Sequence, residues 1–335
     1  MKYLFITLIL LFTLVSCSND VAGNESRFVL PDVDNSILQV DTVFFTDTIL
    51  KVDSVFIVDT VVNNEVQWKD EFSKCKTDFD SAVIPGKALF WGNSLLGGYG
   101  LFGMSASNAS KDYFAHIKNF FDTNGIPFEA EKESGVYENM RSVQEKSDFF
   151  SEKIATMIND STGLVVLQLG DNVDEDQEYI IFKESTDILL DRICSIATNA
   201  KVLWVGEWYA SDAKQKLIKE ETEKFGVTFV DISDLNIPEN QSYIGAIVYY
   251  PVVEQFTMEY DSYSARGDSL EISFYADDML YKSTIKVQSY SVNTDMKTIS
   301  YIGSQFIVPN SAIASHPNDK AFSDIADRIL NALGY

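Results

Sequence analysis

Histidine is nearly absent from this chain: there are two in 335 residues, His116 and His316. Cysteine is almost as scarce, with three in all, and no Cys-x-x-Cys pair or histidine cluster occurs. That excludes a structural zinc site of the usual Cys/His spacing and a disulfide-framework fold. Cys75 and Cys194 could pair in an oxidising compartment, but two buried thiols are the expectation, because Cys194 lies in the helix-like run LLDRICSIA. Basic residues are also short. Twenty-six Lys and Arg face 50 Asp and Glu, for a formal net charge of −24. Such a charge argues against nucleic acid and against an anionic membrane surface as partner. Long apolar runs are missing too. The longest candidate, Leu4–Val15, is shorter than the roughly 20 residues a membrane-spanning helix needs.

What is present at the start is a short basic segment, that apolar run, and then Ser16-Cys17. The pattern is that of a secretory signal peptide. Leu14-Val15-Ser16-Cys17 resembles the lipobox of bacterial lipoproteins, and the resemblance implies lipidation of Cys17. It implies a chain anchored in the bacterial cell envelope, periplasmic or surface-exposed, by an N-terminal lipid and otherwise in water. Residues 1–17 are therefore set apart as leader, and 18–66 as tether and spacer.

The spacer holds a repeat. Asp41, Asp47, Asp53 and Asp59 recur every six residues, each followed by Thr or Ser and then Val or Ile. Six residues turn a helix by about 240°, which scatters the acids, whereas an extended chain puts them on one face. An extended stalk is expected, with a hairpin packed on the main domain as the alternative. Each repeat offers one carboxylate without EF-hand spacing, so calcium is not expected.

The remaining chain, 67–335, reads as one large α/β domain. A helix is expected over Asn64–Val83, leading into the domain. Apolar strands follow at KALFWGN, GLVVLQL, KVLWVGE and VTFVDIS, with a shorter one at IPFEAEKES. Amphipathic helices separate them, one of them expected to be capped by Ser147. Strands apolar on both faces and alternating with helices predict a central parallel sheet in a three-layer α/β/α arrangement. From about 241 to 308 the helical rhythm stops and strand-like runs follow each other, which predicts a β-rich insertion before the C-terminal helix.

Polar tips end three of these elements: Gly92-Asn93-Ser94-Leu95, Gly170-Asp171-Asn172-Val173 and Ser315-His316-Pro317. A serine hydroxyl needs a neighbouring base to become a nucleophile. His116 sits mid-helix in YFAHIKNFF, which leaves His316 as the natural base for Ser94. Asn172 can offer its amide to an oxyanion. In order and placement these blocks resemble the SGNH or GDSL hydrolases over about Lys87–Tyr335. That resemblance implies Ser94 as nucleophile, His316 as general base, and Asn172 with the backbone N–H groups of Ser94 and of a glycine in the oxyanion hole. Gly135 is the preferred glycine, with Gly97, Gly98 and Gly103 as competitors. The sequence departs from the family at Asn93, where Asp is usual, at Val173, and at Ile313, where the family places the acid that orients the histidine. A backbone carbonyl or Asp319 is expected in its place, or a Ser-His dyad. Trp204, Glu207 and Trp208 are expected as packing at the sheet edge.

The expected activity is cleavage of an ester in a small molecule or glycan, with carbohydrate O-acetyl groups suggested by the resemblance and the envelope setting. No metal or organic cofactor is required for that chemistry. Two alternatives stand beside it. One is a catalytically inactive carbohydrate-binding or envelope scaffold protein; the other is an O-acyltransferase.

Overall fold

The computed structural model describes residues 72–79, 81–98, 102–173 and 177–335, together with two short strands near the start. The chain divides into two compact units, Met1–Trp68 and Lys69–Tyr335. In the first, β1 (Phe44–Thr46) pairs antiparallel with β2 (Ile49–Lys51). The leader, Cys17 and the four repeat aspartates lie outside the described residues. No helix among the described residues is long and apolar enough to cross a membrane.

The second unit is built on five parallel strands: β3 (Gly86–Gly92), β4 (Phe128–Ser134), β5 (Thr162–Gln168), β6 (Lys201–Val205) and β7 (Thr228–Val230). Their order across the sheet is β4-β3-β5-β6-β7. Period-two alternation sorts their side chains. Ala88, Phe90, Leu164, Val166, Leu203 and Val205 enter one core, while Leu89, Trp91, Val165, Leu167, Val202 and Trp204 enter the other. The central strands β3, β5 and β6 are thus buried on both faces, as their apolar runs require.

Helices cover both faces. α2 (Tyr113–Thr123) and the C-terminal α8 (Asp319–Ala332) pack on the first core, through Ile117, Phe121, Phe322, Ile325 and Ile329. Each such fully buried side chain contributes about 1.5–3 kcal/mol of apolar burial. The second face is covered by α3 (Val143–Phe149), α5 (Gln177–Ile196) and α6 (Asp212–Phe225), with one π turn (Phe150–Ile154) carrying α3 into α4 (Ala155–Met157). The architecture is a three-layer α/β/α fold.

Three local expectations are corrected. Residues 72–79 are irregular, not helical. Their backbone bonds run to other elements: Ser73 N–H donates to Asp191 (2.7 Å) and Cys75 N–H to the Phe225 carbonyl (2.9 Å). Cys75 and Cys194 are joined in a disulfide, with Cα atoms 4.6 Å apart, and are not free thiols. The third helix is capped by Ser142, whose hydroxyl accepts from Glu145 N–H, and not by Ser147. Ser142-Val-Gln-Glu145 has the spacing of a capping box, the signal that sequence reading passed over.

After β7 the chain forms six antiparallel strands, β8 (Ile247–Glu259), β9 (Ser262–Arg266), β10 (Ser269–Ala276), β11 (Met279–Lys286), β12 (Ser289–Asn293) and β13 (Thr298–Ile307). They make two three-stranded sheets, β11-β10-β9 and β12-β13-β8. Leu270, Ile272 and Phe274 from one sheet meet Ile299, Tyr301 and Ile307 from the other in a separate core. The two ends of this insertion are pinned together. Gly245 N–H donates to the Val308 carbonyl (2.8 Å) and Val308 N–H to that of Ala246 (2.9 Å). The chain leaving β13 is thereby returned to the parallel sheet, where the short α7 (Ser311–Ala314) leads to His316.

Candidate active site

The strand order reverses between β3 and β5: the chain runs outward to β4 and then back past β3. In open parallel sheets the crevice at the carboxyl ends beside such a reversal is where ligands bind. β3 ends at Gly92 and hands on to Asn93-Ser94; β5 ends at Gln168 and hands on to Gly170-Asp171-Asn172.

Ser94 opens α1 (Ser94–Gly97). Asn93 caps it, its Oδ1 accepting from Leu95 N–H at 3.1 Å. The glycines that follow permit close approach. A Cβ on Gly97 would stand 2.1 Å from Ser134 Oγ, and one on Gly103 would stand 2.4 Å from the Leu95 carbonyl. The glycine-rich run therefore closes the backbone tightly around the serine.

His316 Nε2 lies 2.9 Å from Ser94 Oγ, across 222 positions of chain. On its other side Nδ1 faces the carbonyls of Ala312 (3.0 Å) and Ile313 (3.2 Å). A carbonyl can only accept, so Nδ1 carries the proton and Nε2 presents its lone pair to the serine hydroxyl. Burial lowers the His316 pKa below its ordinary 6.5, and the two carbonyl bonds oppose that only in part. Asp319, an expected substitute for the orienting acid, is engaged elsewhere: it accepts from Ser107 N–H (2.7 Å) and Ser107 Oγ (2.6 Å).

Asn172 is held by a residue that sequence reading missed. Glu138 is buried, and its carboxylate accepts from Asn172 Nδ2 at 2.8 Å and from the Gly170 N–H. Asp171 accepts from Gln168 Nε2 (2.8 Å), Tyr209 N–H (2.8 Å) and Asn93 Nδ2 (3.2 Å). Burial pushes both acids upward in pKa, and for Glu138 the charge of Asp171 adds to the push. Asn93 Nδ2 also reaches Glu138 Oε1 at 3.5 Å. An amide thus stands between two carboxylates, which gives a physical reason for Asn at position 93. Below the same loop Lys214 Nζ donates to the carbonyls of Gly170 (3.3 Å) and Val173 (3.1 Å) and pairs with Glu207 at 3.0 Å. Burial raises Glu207 to about 7. No local spacing marks Glu138 or Lys214; only the turn they clamp connects them to Asn172.

The glycines expected in an oxyanion hole have other partners. Gly135 N–H donates to the Gly92 carbonyl at 3.3 Å, as the next rung of the parallel β3–β4 ladder, and is not free in this state. Gly97 N–H bonds Asn93 O (3.1 Å), Gly98 N–H bonds Ser94 O (2.9 Å) and Gly103 N–H bonds Asp112 (3.0 Å). The first N–H groups of a helix have no intrahelical acceptor. Ser94 stands at the first position of α1, where the backbone N–H has no acceptor within the helix.

Trp204 and Trp208 are fully buried, as packing residues. Trp208 also donates Nε1–H to the Ser315 carbonyl at 2.8 Å. Tyr209, Ser211, Asp212 and Ser233 line an open polar cleft, and Tyr209 connects that cleft to His316. Among the described residues no group of three or more His, Cys, Asp or Glu is placed to hold a metal ion.

No family model matches this sequence, and no curated protein matches it closely. Among solved structures, the chain is similar to a protein described as a GDSL-like lipase from Parabacteroides merdae, at 12% identity and a TM-score of 0.32, over 48% of this chain and 81% of that one. A second GDSL-like lipase, from Bacteroides uniformis, matches at 12% identity and a TM-score of 0.35, over 45% and 85%. The psychrotrophic esterase EstA from Pseudoalteromonas matches at 13% and 0.30, over 45% and 80%. Similarity at this level does not assign a function, and the functional reading rests on the site itself.

Proposed function

We propose that this chain is a serine esterase of the SGNH kind that works through an acyl-enzyme on Ser94. The observation behind this reading is the 2.9 Å contact between Ser94 Oγ and a His316 imidazole whose Nδ1 faces only acceptor carbonyls and a hydroxyl. His316 Nε2 takes the serine proton as Oγ attacks the ester carbonyl. The oxyanion meets Ser94 N–H and the Asn172 amide proton that Glu138 leaves over. Collapse expels the alcohol, protonated by the imidazolium. A water molecule, deprotonated by the same Nε2, then releases the acid and restores Ser94. The missing acid at Ile313, the feature that favoured an inactive scaffold, is answered by the backbone carbonyls at that turn.

The substrate is an ester of a small molecule or glycan, and a carbohydrate O-acetyl group suits the polar cleft beside Tyr209. The setting is the cell envelope, with Cys17 lipidated; the Cys75–Cys194 disulfide supports an oxidising compartment. The test is hydrolysis of p-nitrophenyl acetate by the purified domain beside Ser94→Ala, with labelling by a fluorophosphonate. The wild type turns over and labels, and the variant does neither. Equal rates for the two proteins refute the reading. Acetyl consumption that rises with added sugar, without more free acetate, identifies the transferase instead.

A further inference from the structure

His316 Nδ1 has a third neighbour besides the two carbonyls. The hydroxyl of Tyr209 lies 3.0 Å away, with the two rings edge to face at 82°. A hydroxyl differs from a carbonyl in one respect that matters here: it can donate as well as accept. If Tyr209 donated to Nδ1, the imidazole proton would move to Nε2. There it would point at Ser94 Oγ, and the serine would have no base.

Ser315 decides the direction. Its Oγ is 2.8 Å from the Tyr209 hydroxyl and 3.0 Å from the Ala312 carbonyl. The Ala312 carbonyl only accepts, so the Ser315 proton goes to it. The lone pairs of Ser315 are then free to accept the proton of Tyr209, and that proton is turned away from Nδ1. Tyr209 in turn offers a lone pair to Nδ1–H. The parts are anchored: Trp208 Nε1–H holds the Ser315 carbonyl at 2.8 Å, and Tyr209 N–H is fixed to Asp171 at 2.8 Å. Burial raises the Tyr209 phenol to about 12, so it keeps its proton at neutral pH.

We propose that Ser315 and Tyr209 form a directional hydroxyl relay that keeps the Tyr209 proton off Nδ1 and so preserves the Nδ1-protonated tautomer that the Ala312 and Ile313 carbonyls set for His316. The order of donation runs from Nδ1 to Tyr209, from Tyr209 to Ser315, and from Ser315 to the Ala312 carbonyl. Both are positioning residues: they act on Ser94 only through His316. The relay does by hydroxyl polarity what a carboxylate does by charge. Its catalytic consequence rests on the esterase reading, but the tautomer itself does not.

The experiment is a double-mutant cycle with two readouts. In Ser315→Ala the Tyr209 proton loses its acceptor and turns to Nδ1. The value of kcat for p-nitrophenyl acetate falls by about tenfold, with KM unchanged. Tyr209→Phe removes the misdirected donor and stays within about threefold of wild type, since the two carbonyls still orient the ring. The double variant recovers to the Tyr209→Phe level. A purely structural role predicts a double variant at least as poor as Ser315→Ala, and that result overturns the relay. The second readout is nitrogen-15 NMR of histidine-labelled protein, in which His116→Gln identifies the His316 signal. The wild type shows the Nδ1-protonated form, Ser315→Ala a shift toward the Nε2-protonated form, and the double variant a return. An unchanged tautomer in Ser315→Ala also overturns the relay. A tautomer shift in Ser315→Ala, found in a protein whose wild type has no esterase activity, refutes the proposed function and leaves the relay standing.

Discussion

Ile313 offers His316 its backbone carbonyl, 3.2 Å from Nδ1, at the position where a side-chain acid is expected. A carbonyl fixes the ring as a carboxylate does, but it brings no charge to stabilise an imidazolium. Among the described residues the groups facing this imidazole are Ser94, Tyr209 and the carbonyls of Ala312 and Ile313, all of them uncharged. Burial therefore dominates, and the His316 pKa falls.

The pH profile follows from that direction. The base must be neutral to accept the serine proton, so kcat/KM rises with pH through the pKa of His316 in the free enzyme. That midpoint is expected below the ordinary 6.5. The same shift has a sign in stability. The folded state disfavours the proton, so the contribution is present above the unfolded pKa and is lost as pH falls through the folded one. Rate profiles and the nitrogen-15 titration of His316 should share one midpoint; a midpoint above 6.5 in both contradicts the argument.

Glu138 should matter to rate as well as to stability. In Glu138→Ala the Gly170 N–H and the Asn172 amide lose their shared acceptor. Leaving buried donors unpaired costs about 1–3 kcal/mol each. Loss of Asn172 aim should lower kcat by about tenfold or more, with KM little changed. Urea unfolding and steady-state kinetics check the two parts separately. A variant that is destabilised but keeps full kcat shows that Glu138 only supports the fold.

The layout of this site was legible where local chemistry is periodic or rare. β3, β5 and β6 carry consecutive apolar residues, Ala88–Trp91, Leu164–Leu167 and Val202–Val205, because each strand feeds two cores, and that pattern needs no structure to read. Ser94 and His316 stand out because only two histidines exist and one is mid-helix. Glu138, Tyr209 and Ser315 were not legible, since their partners lie up to 107 positions away and no spacing announces them. The segment 72–79 has a helix-like mix of residues, yet its backbone bonds to α5 and α6 and its disulfide override that propensity. Gly135 follows a strand, as an oxyanion-hole glycine would, but the ladder to Gly92, visible only in space, takes its N–H.

Asn93→Asp tests the reading of the carboxylate cluster. Aspartate keeps the helix cap, since its side-chain oxygen still accepts from Leu95 N–H. It removes the amide donor that stands between Glu138 and Asp171, and adds a third acid beside two whose pKa values are already raised. An acid with a raised folded pKa stabilises at low pH and loses that contribution as pH rises through the folded value. The variant should therefore be less stable than wild type by about 1–3 kcal/mol at pH 8, with the gap narrowing toward pH 5. Urea midpoints at the two pH values measure this; a gap that is equal or wider at pH 5 contradicts the cluster's role.

The disulfide gives the last prediction. Cys75 belongs to the irregular segment 72–79 and Cys194 to α5, 119 positions apart. Closing so long a loop limits the unfolded chain more than the folded one, and bridges of this kind contribute about 2–5 kcal/mol. Both cysteines lie in the core beneath α3, α5 and α6, whereas the turn bearing His316 packs on the opposite face of the sheet. Stability and catalysis should therefore separate. Cys75→Ser/Cys194→Ser, or wild type under dithiothreitol, should unfold at lower urea while kcat stays unchanged at low denaturant. Were kcat to fall in step with stability, the bridge would be coupled to the site through the sheet. Were the urea midpoint indifferent to reductant, the bridge would not be closing the loop at all.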